Sequence, residues 1–172
     1  VKIKRVPLLW IIQDIKKGFK VNSQYEEILR QGFFTYRGRV ALSLILRSMQ
    51  VGAGDEVILQ AYTCEAVPEA IIAVGATPVY ADISHQTLSL TPLTLAPLVS
   101  NRTKAIIYQH TFGIPSEYTA EIAKIAKKQN IPLIEDCCHS VFESNKINKI
   151  GTYAVASFFS FEWGKPVVGG LG

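Results

Sequence analysis

The order of apolar and polar segments predicts an α/β fold: a three-layer α/β/α domain around a mainly parallel sheet. Two patterns carry this. Short, strand-like apolar runs alternate with longer helix-like segments, the signature of βαβ units. Glycines and polar clusters punctuate the junctions. The composition agrees, with 48% hydrophobic and 19% charged residues in 172, as expected of a globular domain with one core.

The elements follow in order. Residues 39–50 carry Val40, Leu42, Leu44, Ile45 and Leu46 without an internal Gly or Pro and read as a helix, stopped by Gly52 and Gly54. Residues 56–59 read as a buried strand. Residues 65–74 read as a helix with Pro68 in its first turn, closed by Gly75. Residues 78–81 form a second strand, and residues 93–99 a helix interrupted near Pro97. Residues 104–108 are a third strand. Residues 117–129 are an amphipathic helix, with Ile122, Ala123, Ile125 and Ala126 inward and Lys124, Lys127 and Lys128 outward. Residues 131–135 and 154–159 are the fourth and fifth strands. Residues 142–152 are polar and read as a loop or short hairpin. Residues 2–12 read as a short amphipathic helix rather than a signal peptide, because Gln13-Asp14-Ile15-Lys16-Lys17 follows and no small-residue cleavage site does.

The net charge is +4, but the basic residues are scattered, which argues against nucleic-acid binding and fits an anionic substrate or cofactor. No apolar run reaches the length of a membrane span. Cys64, Cys137 and Cys138 have neither disulfide nor zinc spacing, so a reducing cytoplasm is expected. Both ends read as cut, at Val1 and within a Gly-rich run ending at Gly172, as in a piece of a longer protein.

In an open parallel sheet, ligands bind beyond the carboxyl ends of the strands. Asp136, His139, Ser160 and Lys165 each follow a predicted strand, and His110 follows the third. Each has a plain alternative: Asp136 as a helix N-cap, His139 as a loop histidine, Lys165 as a surface lysine. Together, an amine, an acid and a hydroxyl are the parts used to hold pyridoxal 5'-phosphate (PLP).

The chain resembles the DegT/DnrJ/EryC1/StrS family, PLP-dependent aminotransferases acting on nucleotide-linked keto sugars. The matching stretches are Gly52-Ala53-Gly54-Asp55-Glu56-Val57-Ile58, Gly75-Ala76-Thr77-Pro78-Val79-Tyr80-Ala81-Asp82-Ile83 and Arg102-Thr103-Lys104-Ala105-Ile106-Ile107. They continue with Ile134-Glu135-Asp136 and with Phe159-Ser160-Phe161 through Lys165. The resemblance implies the fold of PLP-dependent transferases of type I. Residues 1–37 would be an N-terminal segment with short helices and residues 38–172 part of the PLP-binding large domain, with a small domain beyond the chain.

It also implies roles. Lys165 would hold PLP as an internal aldimine and later move a proton. Asp136 would pair with the pyridine nitrogen, and Ser160 would donate to the phosphate. His139 stands where many relatives place Gln, near the phenolic oxygen. Gly38 and Arg39 align with a Gly-Thr pair at a helix start that faces the phosphate; Arg39 is either a bidentate phosphate ligand or a solvated residue of the first turn. Cys64 takes the place of an aromatic residue that stacks on the ring. The run Gly169-Gly170-Leu171-Gly172 lacks the acid many relatives carry there.

The implied activity is transfer of an amino group from an amino acid, with glutamate the expected donor, to a nucleotide-linked keto sugar, by a homodimer of the complete protein. Some relatives are sugar dehydratases with histidine replacing the lysine; Lys165 argues for transamination. A non-catalytic PLP-fold regulator or sensor, and a thiol enzyme using Cys137 or Cys138 beside His139, are the alternatives.

Overall fold

A computed structural model describes residues 32–114, 116–140, 144–145 and 148–166. The expected helix at 2–12, the departure at Leu171 and the Gly-rich run lie outside these residues.

Helix α1 (Gly38–Ser48) is followed by strand β1 (Glu56–Gln60), helix α2 (Ala66–Ile72) and strand β2 (Thr77–Ala81). A short helix α3 (Pro92–Leu95) runs into a 3-10 turn (Ala96–Leu98). Strand β3 (Thr103–Gln109), a 3-10 turn (Thr111–Gly113), helix α4 (Tyr118–Lys128) and strand β4 (Leu133–Asp136) complete the central part. A short antiparallel pair, β5 (Ser144–Asn145) with β6 (Asn148–Lys149), precedes strand β7 (Ala156–Phe158).

Strands β2-β1-β3-β4-β7 form one parallel sheet. β1 and β4 are buried along their whole length, and β3 at every residue but Lys104. Their near-continuous apolar sequences follow from having both faces covered. β2 lies at the edge, where exposed Thr77 and Tyr80 and the missing N–H of Pro78 are tolerated.

Alternation along each strand divides the core in two. Val57, Leu59, Ala105, Ile107, Ile134 and Phe158 meet Leu42 and Leu46 of α1 and Val67 and Ile71 of α2. Ile58, Ile106, Tyr108 and Leu133 meet Leu95 of α3 and Ile122 and Ala126 of α4. The layers are therefore α1/α2, sheet, α3/α4. Ala123 and Ile125 flank the second core and are only partly buried.

Local chemistry sets the boundaries. Thr91 and Thr94 form a capping box with Pro92 in the first turn, so α3 starts one residue before its first leucine. Pro97 brings no N–H, and the helix tightens into the 3-10 turn. Gly75 ends α2 at φ +90° and lies so close to the loop before β1 that a Cβ would sit 3.4 Å from the Ala53 nitrogen. Lys127 and Lys128 face the negative end of the α4 dipole.

Candidate active site

The sheet changes winding direction between β1 and β3, because the chain leaves β1 for β2 on one side and returns to β3 on the other. Crevices open beyond the carboxyl ends of strands at such a point. Here the crevice spreads over the ends of β3, β4 and β7 beneath the N-termini of α1 and α2. It encloses about 560 Å³ including its open mouth. The seven residues to which the resemblance gives cofactor roles all line it: Gly38, Arg39, Cys64, Asp136, His139, Ser160 and Lys165.

Register explains the convergence. Gln109, Asp136 and Phe158 are neighbours across β3, β4 and β7, and all share the face covered by α1 and α2. His110 and Glu135 are one residue out of step and share the opposite face. His110 is 2% exposed, bonds Glu135 Oε2 at 2.8 Å and does not line the crevice. Following a strand is thus not enough to reach the pocket; the parity of the position decides.

Glu135 is a structural anchor. Its carboxylate also accepts the N–H groups of Gly151 (2.8 Å), Tyr153 (2.7 Å) and Ala154 (3.0 Å), which fixes the approach to β7 and hence to Ser160. Glu135→Ala is expected to cost about 3 kcal/mol or more, because the His110 ring and three backbone N–H groups lose their partner at about 1–3 kcal/mol each, read as a lower urea midpoint at unchanged slope.

Asp136 is 3% exposed, and its Oδ1 accepts the Cys138 N–H at 2.9 Å. Burial raises its pKa, against the opposing pull of the Cys138 N–H and thiol, His139 and Lys165. The His139 imidazole is shifted down, first by burial and then by the Lys165 charge, with Asp136 opposing. Burial, with the carboxylates of Glu135 and Asp136, pushes the Cys137 thiol well above its ordinary range; Cys138 is raised by burial and by Asp136. Both thiols are held protonated, which removes the basis for a thiolate nucleophile.

Ser160 lies under the start of α1, where a Cβ on Gly38 would come within 3.4 Å of the Ser160 Cβ. α1 has no side-chain N-cap and no acid in its first turn, so its first N–H groups are open to an anion. The Arg39 guanidinium is engaged by Glu69 of α2. This ion pair joins the two helices and leaves the Arg39 backbone, rather than its side chain, nearest to the role of anion donor.

Sequence reasoning passed over Gln109, Arg37 and Glu162, which also line the crevice, and weighed Cys138, another lining residue, only as a thiol nucleophile. Gln109 had a legible signal: it lies two residues beyond Ile107, on the same strand face. It belongs to a buried polar network that ties the ends of β1 and β3. Thr63 Oγ1 donates to Gln109 Oε1 at 2.5 Å, and Gln109 Nε2 donates to Thr111 Oγ1 at 3.0 Å. Gln60 Nε2 also donates to Thr111 Oγ1, at 2.8 Å, and that hydroxyl donates to the Leu88 carbonyl at 2.8 Å. With two bonds accepted and one donated, Thr111 is fully satisfied.

The donor set suits PLP: an uncapped helix start with a hydroxyl for a phosphate, an amine for a carbonyl, and a buried carboxylate. Burial disfavours that carboxylate's charge, and a protonated ring nitrogen is a partner that would restore it.

Comparison with known proteins supports the same class. The profile of the DegT/DnrJ/EryC1/StrS aminotransferase family matches residues 31–172, and the chain belongs to this family. It is 36% identical over 124 residues to a UDP-N-acetyl-3-dehydro-alpha-D-glucosamine 3-aminotransferase from Acidithiobacillus ferrooxidans, covering 72% of this chain and 33% of that protein. An aminotransferase from Psychrobacter cryohalolentis superposes with a TM-score of 0.73 at 32% identity, over 78% of this chain and 34% of the other. NtdA from Bacillus subtilis, solved with bound cofactor PMP, gives 0.71 at 30% identity, over 78% and 30%. The chain spans about a third of the length of these relatives. Among the described residues, no helix is long and apolar enough to cross a membrane.

Proposed function

We propose that the complete protein containing this chain is a PLP-dependent aminotransferase that moves an amino group from glutamate to a nucleotide-linked keto sugar. The carrying observation is the meeting of Lys165, Asp136, His139, Ser160 and the α1 N-terminus in one crevice, in a chain belonging to a family of aminotransferases. PLP, when bound, supplies a carbonyl that an amine can attack and a ring that accepts the electron pair released when a proton leaves the adjacent carbon.

The chain's own residues do the rest. Lys165 attaches the cofactor through its neutral amine and, once released, carries a proton between the substrate carbon and the cofactor. Asp136 holds the proton on the pyridine nitrogen, its ionised form favoured by that positive charge. Ser160 and the N–H groups of Gly38 and Arg39 bind the phosphate. His139 donates to the phenolic oxygen, and Cys64 covers the ring in place of an aromatic side chain. In this reading residues 38–172 are part of the large domain, residues 1–37 precede it as a segment with short helices, and a small domain and a second subunit complete the site.

The test is isotope transfer in the complete, PLP-loaded protein. With ¹⁵N-amino glutamate and a UDP-linked 3-keto sugar, the label is expected in an amino sugar. With amide-labelled glutamine no label should appear, since the amide nitrogen is not transferred. Absence of label from any amino acid and any nucleotide-linked keto sugar would leave the regulator or sensor reading.

A further inference from the structure

Phe112 has an unusual setting. The residue is 61% exposed, so core burial does not explain it, yet its backbone has φ +53°, a region costly for a residue with a Cβ. Gly113 follows at φ +70°, and a Cβ there would lie 3.2 Å from the His139 carbonyl oxygen. Two successive left-handed residues therefore fold the loop after β3 tightly onto residue 139. The Phe112 and His139 rings stack with centroids 5.5 Å apart and planes 7° from parallel. Tyr62, from the loop after β1, meets Phe112 edge-on at 6.3 Å. The Phe112 N–H donates to His139 Nδ1 at 3.4 Å.

We propose that Phe112 is a positioning residue that fixes His139 as the neutral imidazole with its proton on Nε2, so that the donor edge of the ring is the one offered to the crevice. Nδ1 accepts a backbone N–H and must keep its lone pair, which leaves the single proton of a neutral ring on Nε2. A second proton would set N–H against N–H and break the contact. The charged groups around the imidazole act in opposite senses: Lys165, after β7, disfavours the imidazolium and Asp136, at the end of β4, favours it, while burial adds to the effect of Lys165. The loop is held from behind by the saturated Thr111 hydroxyl and by the Gln60 Nε2 bond to the Tyr62 carbonyl at 2.6 Å. The buried network thus places both aromatic side chains, and they place the histidine. Only the statement of what Nε2–H meets, a cofactor oxygen, rests on the PLP reading.

The experiment is long-range ¹H–¹⁵N NMR of the complete protein labelled with ¹⁵N-histidine, cofactor-free, with His139→Gln assigning the resonances. The expected spectrum at neutral pH has an unprotonated Nδ1 and a protonated Nε2 in one tautomer. Phe112→Gly keeps the left-handed backbone and its N–H but removes the stacked ring that holds the imidazole against that N–H; the His139 ring should then swing away from the donor, giving averaged tautomers and a pKa moved up toward that of a free histidine. Phe112→Tyr should restore the wild-type pattern. The signals of buried His110, bonded to Glu135, report that the variants are folded. A proton on Nδ1 or mixed tautomers in the wild type would overturn the proposal, as would a Phe112→Gly spectrum identical to wild type; if Phe112→Gly fails to fold, Phe112→Leu, which keeps bulk without the flat ring, is read in the same way. A single Nε2–H tautomer without PLP attachment at Lys165 would sink the cofactor reading and leave this one standing.

Discussion

Replacing Lys165 by alanine is expected to lower amino transfer by roughly ten-thousand-fold or more, the upper end for a positioned proton-transfer group. In the proposed function two roles would be lost together: attachment of the cofactor and movement of the proton. Lys165 lines the crevice with Asp136 and His139, and no other lysine among the described residues does so. A small primary amine added to Lys165→Ala should restore part of the rate, because it can take the same proton, whereas Lys165→Arg should not be rescued, its guanidinium remaining charged and filling the space. Steady-state rates with and without the amine are the readout. Activity within tenfold of wild type in Lys165→Ala would remove this residue from the reaction.

Asp136→Asn is expected to separate function from stability. Turnover should fall by roughly a hundred- to a thousand-fold, the scale for losing one group aimed at charge that develops in the reaction. The cofactor-free protein should nevertheless melt at a higher temperature at neutral pH. The sign follows from linkage. Burial raises the Asp136 pKa above its ordinary value of 3.8, so between the unfolded and folded pKa values the folded state binds more protons. Stability therefore falls as pH rises through that window, and above it the full cost of a buried carboxylate remains. Asparagine carries no such cost and still offers an Oδ1 to the Cys138 N–H. The stability gain should vanish when the cofactor-free proteins are compared at a pH below both values, where the wild-type carboxyl is also neutral. Differential scanning calorimetry across pH reads both results, and an Asp136→Asn protein less stable than wild type at neutral pH would contradict this account of the site.

The helices and strands were largely legible because their signals are local. The spacing of Leu42 and Leu46 and the apolar runs at Val57-Ile58-Leu59 and Ile106-Ile107-Tyr108 need no distant partner to be recognised. The candidate residues were legible as a group, since ligands gather at strand ends in this architecture. What could not be read was side and reach. Glu135 and Asp136 are adjacent acids, yet one anchors the stretch before β7 and the other faces the crevice; only strand parity separates them. His110 was drawn in by position and excluded by parity. The Gln60–Thr111–Gln109–Thr63 network joins residues that lie up to 51 positions apart, and its partners are set by the neighbouring of β1 and β3, which no local pattern encodes. The left-handed backbone at Phe112 was equally hidden, because nothing in Thr111-Phe112-Gly113 alone requires the phenylalanine to share that conformation with the glycine.

The most direct measurement is reductive trapping in the complete protein. PLP is added, the protein is reduced with borohydride and digested, and the peptides are sequenced by mass spectrometry. The account predicts a phosphopyridoxyl group on Lys165, diminished when glutamate is supplied before reduction. A folded protein with PLP in excess and no adduct on Lys165 would contradict it.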